Sequence, residues 1–103
     1  MSILSMIAYG YETGRYEWLQ NIAGDTKQDM VDNPDRTPAF CPLQAVATLS
    51  GARYDRIAAQ RTLREAARGL GYANYQLYND EEGRTLNEVL DTLRAADAEL
   101  PKQ

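Results

Sequence analysis

The chain contains no histidine and a single cysteine, Cys41. The first absence removes the side chain that most often takes a proton from a thiol and most often binds a transition metal. A Cys–His pair and a histidine-built metal site are therefore excluded. The second absence rules out an internal disulfide, and with it any reason to expect an oxidising compartment. Long apolar runs are missing too, so no segment is expected to span a bilayer. The opening Met1-Ser-Ile-Leu-Ser-Met-Ile-Ala-Tyr9 lacks both the positive charge and the apolar length of a secretory signal. A cytoplasmic protein without membrane contact is the expectation. Phenylalanine occurs once and lysine twice, against seven tyrosines and nine arginines.

What is present suits one globular domain, residues 1–103, long enough to bury a core. Hydrophobic residues make up 44% and charged residues 25%, which argues against wholesale disorder. The net charge of −4 is unevenly spread. Between Arg53 and Arg68 five arginines face two carboxylates, a local +3 that leaves −7 for the remainder. The acid lies over Asp25–Asp35, Asp80–Glu82 and Glu88–Glu99. General affinity for nucleic acid needs a net basic surface and is not expected. A single basic helix on an acidic body would instead touch DNA locally, or grip an acidic protein.

The local patterns predict a mainly α domain, or a small α+β one, with a cap over residues 1–40 and a helical core over 41–100. From Ile7 to Leu19, aromatics flank a glycine-containing turn, which favours a β-hairpin. A helix over Tyr11–Ile22 is the alternative, because Tyr11, Arg15, Trp18, Leu19 and Ile22 fall near helical spacing. Residues 24–38 are polar and proline-broken, a loop with one turn of helix around Lys27–Val31. Pro42 suits the first position of a helix whose face is Leu43, Val46, Ala47 and Ser50, ended by Gly51. A second helix runs from Tyr54 through Ile57, Ala58, Leu63, Ala66, Ala67 and Leu70, and Gly69 and Gly71 end it. The third begins at a Thr85–Glu88 capping box and repeats Leu86, Val89, Leu90, Leu93. The stretch Tyr72–Tyr78 between them reads as extended or loop.

Cys41 opens the first of these helices, where the positive end of the helix dipole favours a thiolate. The stretch Cys41-Pro-Leu-Gln-Ala-Val-Ala-Thr-Leu-Ser-Gly51-Ala-Arg-Tyr54-Asp-Arg-Ile57, with the later Gly83-Arg-Thr-Leu86 and its helix, resembles small papain-like-fold proteins of phages and bacteria. The resemblance spans about residues 41–93. It implies a nucleophile at Cys41, with a histidine supplied by a later strand. This chain has no such histidine, so the resemblance points to a cysteine-dependent enzyme with an unusual proton acceptor, or to its inactive remnant. A structural, buried cysteine is the simpler expectation.

The same segment carries a second pattern. Ala47, Gly51 and Ile57 have the spacing of a helix-turn-helix, with Arg53, Tyr54, Arg56, Gln60, Arg61 and Arg64 as the residues that would meet DNA. Gln60 stands where such motifs usually bury an aliphatic side chain. The tyrosines form a third signal, because large rings with a polar tip anchor protein interfaces. Tyr72, Tyr75, Tyr78, Asp80, Glu81 and Glu82 are accordingly the candidate protein-binding set. The carboxylate groups match no calcium loop and the glycines no phosphate loop, so neither metal nor cofactor is expected.

The functional expectation is a non-catalytic binding or regulatory protein, monomer or homodimer, that inhibits a host protein or protein complex. An anti-defence inhibitor of the anti-CRISPR kind, phage or mobile-element encoded, is its specific form. Asp80–Glu82 and the last helix would then stand in for phosphates in a basic channel. The alternatives are a helix-turn-helix DNA-binding regulator and the cysteine enzyme.

Overall fold

The computed structural model describes residues 2–100, the side chain of Tyr54 excepted. Its elements run α1 (Ile3–Thr13), β1 (Glu17–Trp18), α2 (Lys27–Asp32), β2 (Ala39–Phe40), α3 (Pro42–Leu49), α4 (Arg53–Gly69), α5 (Tyr75–Asp80) and α6 (Leu86–Ala98). The mainly α expectation holds. Among the described residues, no helix is long and apolar enough to cross a membrane.

The N-terminus corrects the hairpin expectation. Ser2 caps α1 by accepting the Ser5 N–H at 3.1 Å, and Leu4, Ile7, Ala8 and Tyr11 fall on one helical face and are buried. In a strand Tyr9 and Tyr11 would share a face. Here Tyr9 is exposed and Tyr11 buried, so the period of the apolar residues overrides the aromatic content. The helix over Tyr11–Ile22 fails as well, because Gly14 ends α1 in a left-handed conformation (φ 78°) and the chain becomes extended at β1.

β1 and β2 pair in parallel, Glu17 with Ala39 and Trp18 with Phe40. The chain then passes along the other side of β2. There the Asp25 N–H donates to the Ala39 carbonyl and the Cys41 N–H to the Ala23 carbonyl, each at 2.8 Å. Gly24 sits at φ 113°, and a Cβ there would run into the backbone of Ala39 and Phe40. Only glycine lets the two backbones come this close. Asp25 then pins the loop of residues 24–40. Its carboxylate accepts from Arg36 (2.6 Å) and the Ala39 N–H (2.7 Å), while its carbonyl accepts from Thr48 (2.8 Å). The expected turn of helix appears as α2, with Thr26 and Asp29 forming a capping box.

The three helices expected after Cys41, here α3, α4 and α6, start and stop close to where the sequence predicts. α3 begins at Pro42 with Cys41 as its cap, and Thr85 and Glu88 exchange backbone hydrogen bonds at the start of α6. The buried residues of α3 include Ala45, Val46 and Thr48, so the inward side is rotated from the expected Leu43–Val46–Ala47–Ser50 face and leaves Ala47 exposed. The Tyr72–Tyr78 stretch is not extended. Asn74 accepts the Leu77 N–H at 2.9 Å and starts α5. α6 packs against both α1 and α4, and Val89, Leu93 and Ala96 of α6 share one buried core with Ala59 and Ala67 of α4. Each fully buried Leu, Ile or Val contributes about 1.5–3 kcal/mol.

Candidate functional site

Cys41 lies where the sequence predicts, at the start of α3, but it is sealed, with 1% of its surface exposed. Its sulfur accepts the Gln44 N–H at 3.4 Å and faces Gln76 Oε1 at 3.6 Å, to which the thiol donates. Gln76 in turn donates to Asp80 Oδ2 at 2.6 Å. Asp80 also accepts from the Asn21 N–H (2.8 Å) and from Asn79 Nδ2 (3.1 Å). Asn79, itself buried, accepts the Trp18 indole N–H at 2.7 Å and donates to the Leu19 carbonyl at 3.0 Å. One polar chain thus ties α3, α5 and the segment after β1 together.

The electrostatics of this chain oppose thiolate chemistry. Burial pushes the Cys41 thiol above its ordinary range, and the negative Asp80 adds to that. The backbone N–H groups of Gln44 and Leu43 pull the other way without overcoming burial. Burial also works to raise Asp80, but the Asn21 N–H and the Gln76 and Asn79 side chains hold its carboxyl below the usual range. A glutamine amide stands between thiol and carboxylate, and an amide oxygen takes no proton at physiological pH. The arrangement has the outline of a nucleophile, a relay and an acid, with no base in the middle position.

The tyrosine set proves to be interior. Tyr75 is buried and its hydroxyl shares a hydrogen bond with Thr92 at 2.6 Å. Tyr78 is buried and donates to the Glu88 carbonyl at 3.2 Å. Tyr72 is half-buried, edge-on to Tyr78, and accepts from Arg84 Nη2 at 2.8 Å. Neither Tyr75 nor Tyr78 can meet a partner without opening the core, which corrects the expectation of an aromatic interface. The expected acidic patch is also largely engaged. Asp80, partly buried, belongs to the polar chain that begins at Cys41, and Glu81 pairs with Arg84 at 3.1 Å, while Glu82 is exposed.

Arg84 organises this corner and was not singled out by the sequence. Its guanidinium lies 3.8 Å from the Tyr78 ring centroid and bonds the Tyr78 carbonyl (3.0 Å) and Glu88 (3.1 Å). Gln76 and Asn79 belong to no sequence motif, and Trp18 stands out in the sequence only by its helical spacing. Only the Gln76–Asp80 spacing of four residues is a local signal; the Trp18–Asn79 contact joins residues 61 positions apart in the chain.

α4 is the remaining candidate. Arg53, Arg61 and Arg64 are exposed, Arg56 and Gln60 partly so, and the Tyr54 side chain lies outside the described residues. Two features of a helix-turn-helix are absent at these positions. Ala47 and Ile57, the residues that would lock the two helices together, face solvent, Ile57 with 44% of its surface exposed. Among the described residues, no cluster of carboxylates and cysteine is placed to hold a metal ion.

A family described as a family of unknown function (DUF6197) matches residues 14–99, and the chain belongs to it. No curated protein and no solved structure matches the chain.

Proposed function

We propose that this is a non-catalytic binding protein that regulates a protein partner by occupying part of its surface. The observation that carries the reading is the Cys41 environment. The one thiol of the chain is buried, held neutral, and hydrogen-bonded to an amide where a base would have to stand. The specific form, an inhibitor of a host protein of the anti-defence kind, draws its support from size, acidic charge and the resemblance of residues 41–93 to phage proteins. Affinity capture with the wild-type chain and Cys41→Ser tests the general reading. The same partner, retained by both forms, supports it. Loss of the partner or of its regulation in Cys41→Ser, together with rapid thiol labelling near neutral pH, overturns it.

A helix-turn-helix DNA-binding regulator is the second reading, favoured by the outward arginines of α4. Salt-sensitive retention of a DNA duplex, lost in Arg53→Ala and Arg56→Ala, would support it over the first. The exposed Ala47 and Ile57 weigh against it.

A further inference from the structure

We propose that the outward face of α4 is the docking surface and that its occupant is a carboxylate-rich protein segment. This rests on the reading of the chain as a binding protein and assigns the partner's charge. Arg53, Ile57, Arg61, Arg64 and Arg68 are all exposed. At helical spacing they fall within about 80° of arc and along about 22 Å of axis. The opposite side of the helix, with Ala59, Thr62, Leu63 and Ala67, is buried in the core. Among the described residues, none of these arginines pairs with a carboxylate, whereas Arg36, Arg84 and Arg94 each do. Asp55 lies on another side of α4 by its spacing; Glu65 borders the stripe, four residues after Arg61 and three before Arg68, but among the described residues it pairs with neither.

Such a stripe works against its own helix. Arg61 and Arg64 are three residues apart, Arg64 and Arg68 four, and like charges at those spacings repel on a helix. Solubility does not require this, because the rest of the chain is already strongly acidic. An external anion relieves the repulsion. Four observations favour an acidic protein. Every cation on the helix is arginine, whose planar fork takes a carboxylate bidentately and which is enriched at protein interfaces, where lysine is depleted. Ile57 supplies an exposed aliphatic contact in the middle of the stripe, for which a row of phosphates has no counterpart. The remainder of the chain, at −7, repels the length of a duplex. Ala47 and Ile57 do not form the helix-turn-helix lock. A second copy seated across a two-fold axis on this face would set arginine against arginine.

The test uses the full chain and two fluorescent probes at physiological salt: a synthetic helical peptide alternating glutamate and leucine faces, and a short DNA duplex. Binding is measured for wild type, Arg61→Ala/Arg64→Ala, and Ile57→Ser, which keeps the charge. The peptide is expected to bind more tightly than the duplex, and each variant to weaken it by about tenfold, as for an interface anchor. Circular dichroism and thermal melting confirm that these exposed substitutions leave the fold intact. Tighter binding of the duplex with no effect of Ile57→Ser overturns the proposal in favour of nucleic acid. A concentration-dependent dimer lost in the arginine variant overturns it in favour of a second copy. If affinity capture yields a protein partner that both variants still bind, the α4 assignment falls while the binding-protein reading stands.

Discussion

The Trp18 indole donates its N–H to Asn79 Oδ1 at 2.7 Å, joining β1 to α5 through a side chain that is 1% exposed. Asn79 also donates to the Leu19 carbonyl and to Asp80, so every polar atom of its amide is used. Asn79→Ala is expected to cost about 2–4 kcal/mol, because it leaves the indole N–H and a carbonyl without partners. Urea unfolding followed by Trp18 fluorescence checks this. Unchanged stability would show that water replaces the amide.

Arg84 is 11% exposed by its side chain yet touches the Tyr78 ring, the Tyr72 hydroxyl, a backbone carbonyl and two glutamates. Arg84→Met keeps the apolar stem and loses the fork; a loss of about 1–3 kcal/mol is expected. Arg84→Lys is expected to recover less than half of that, since one ammonium cannot reach all these groups from the same position. Full rescue by lysine in a thermal melt would assign the effect to charge alone.

The helical core was legible wherever a residue acts on its own neighbours. Pro42 marks the start of α3, and the Thr85–Glu88 box marks the start of α6. α1 was not legible as a helix, because Tyr9 and Tyr11 resemble strand content until the burial of Leu4, Ile7 and Tyr11 reveals the period. The tyrosine set misled for a related reason. A hydroxyl on an aromatic ring suggests a wet surface, but Thr92 and the Glu88 carbonyl satisfy two of those hydroxyls inside the domain. The Cys41–Gln76–Asp80 chain draws on two helices and leaves only the four-residue Gln76–Asp80 spacing in the sequence.

Cys41 is expected to resist iodoacetamide at neutral pH and to label only as the domain opens in denaturant. Its raised pKa has a defined consequence for stability. The native fold favours the neutral thiol, so that contribution is complete below the ordinary thiol value of about 8.5 and is lost as pH rises through the higher folded value. Cys41→Ser removes this alkaline slope. It keeps an oxygen to accept the Gln44 N–H at the helix start, so its cost stays within about 1 kcal/mol. Fast labelling of the native protein near neutral pH would show that the thiol is open.

Gly24→Ala is expected to be more damaging than any other single methyl addition in the segment around β2. The added carbon meets the Ala39 and Phe40 backbone, which no rotamer can move, and φ at 113° disfavours any L side chain. β2 would have to separate from residues 23–25, taking the hydrogen bonds of Asp25 and Cys41 with it. A chain that fails to fold, or melts well below wild type, is the expected result; a wild-type melting curve would mean that the backbone of residues 39–40 can yield to the added carbon. Gly51→Ala, where no atom crowds the position, is the matched control and is expected to be neutral.

Asp25 predicts the acid behaviour. The Arg36 hydrogen bond and the Ala39 N–H hold its carboxyl below the usual range, against the smaller opposing effect of burial. A depressed carboxyl stabilises the native state above its unfolded value of about 3.9, and that contribution disappears as pH falls through the folded value. The loop of residues 24–40 is therefore expected to loosen on the acid side before the helices unfold, because Asp25 is its link to both Arg36 and β2. Asp25→Asn removes the acid dependence and lowers stability at neutral pH, since the amide cannot accept both bonds with a charge. Arg36→Ala reproduces only part of the effect, because Arg36 is exposed and the Ala39 bond remains. Limited proteolysis between pH 3 and neutrality, with cleavage sites mapped within residues 24–40, reads this directly. Cleavage that is equally slow across that range in wild type would mean that Asp25 does not hold the loop.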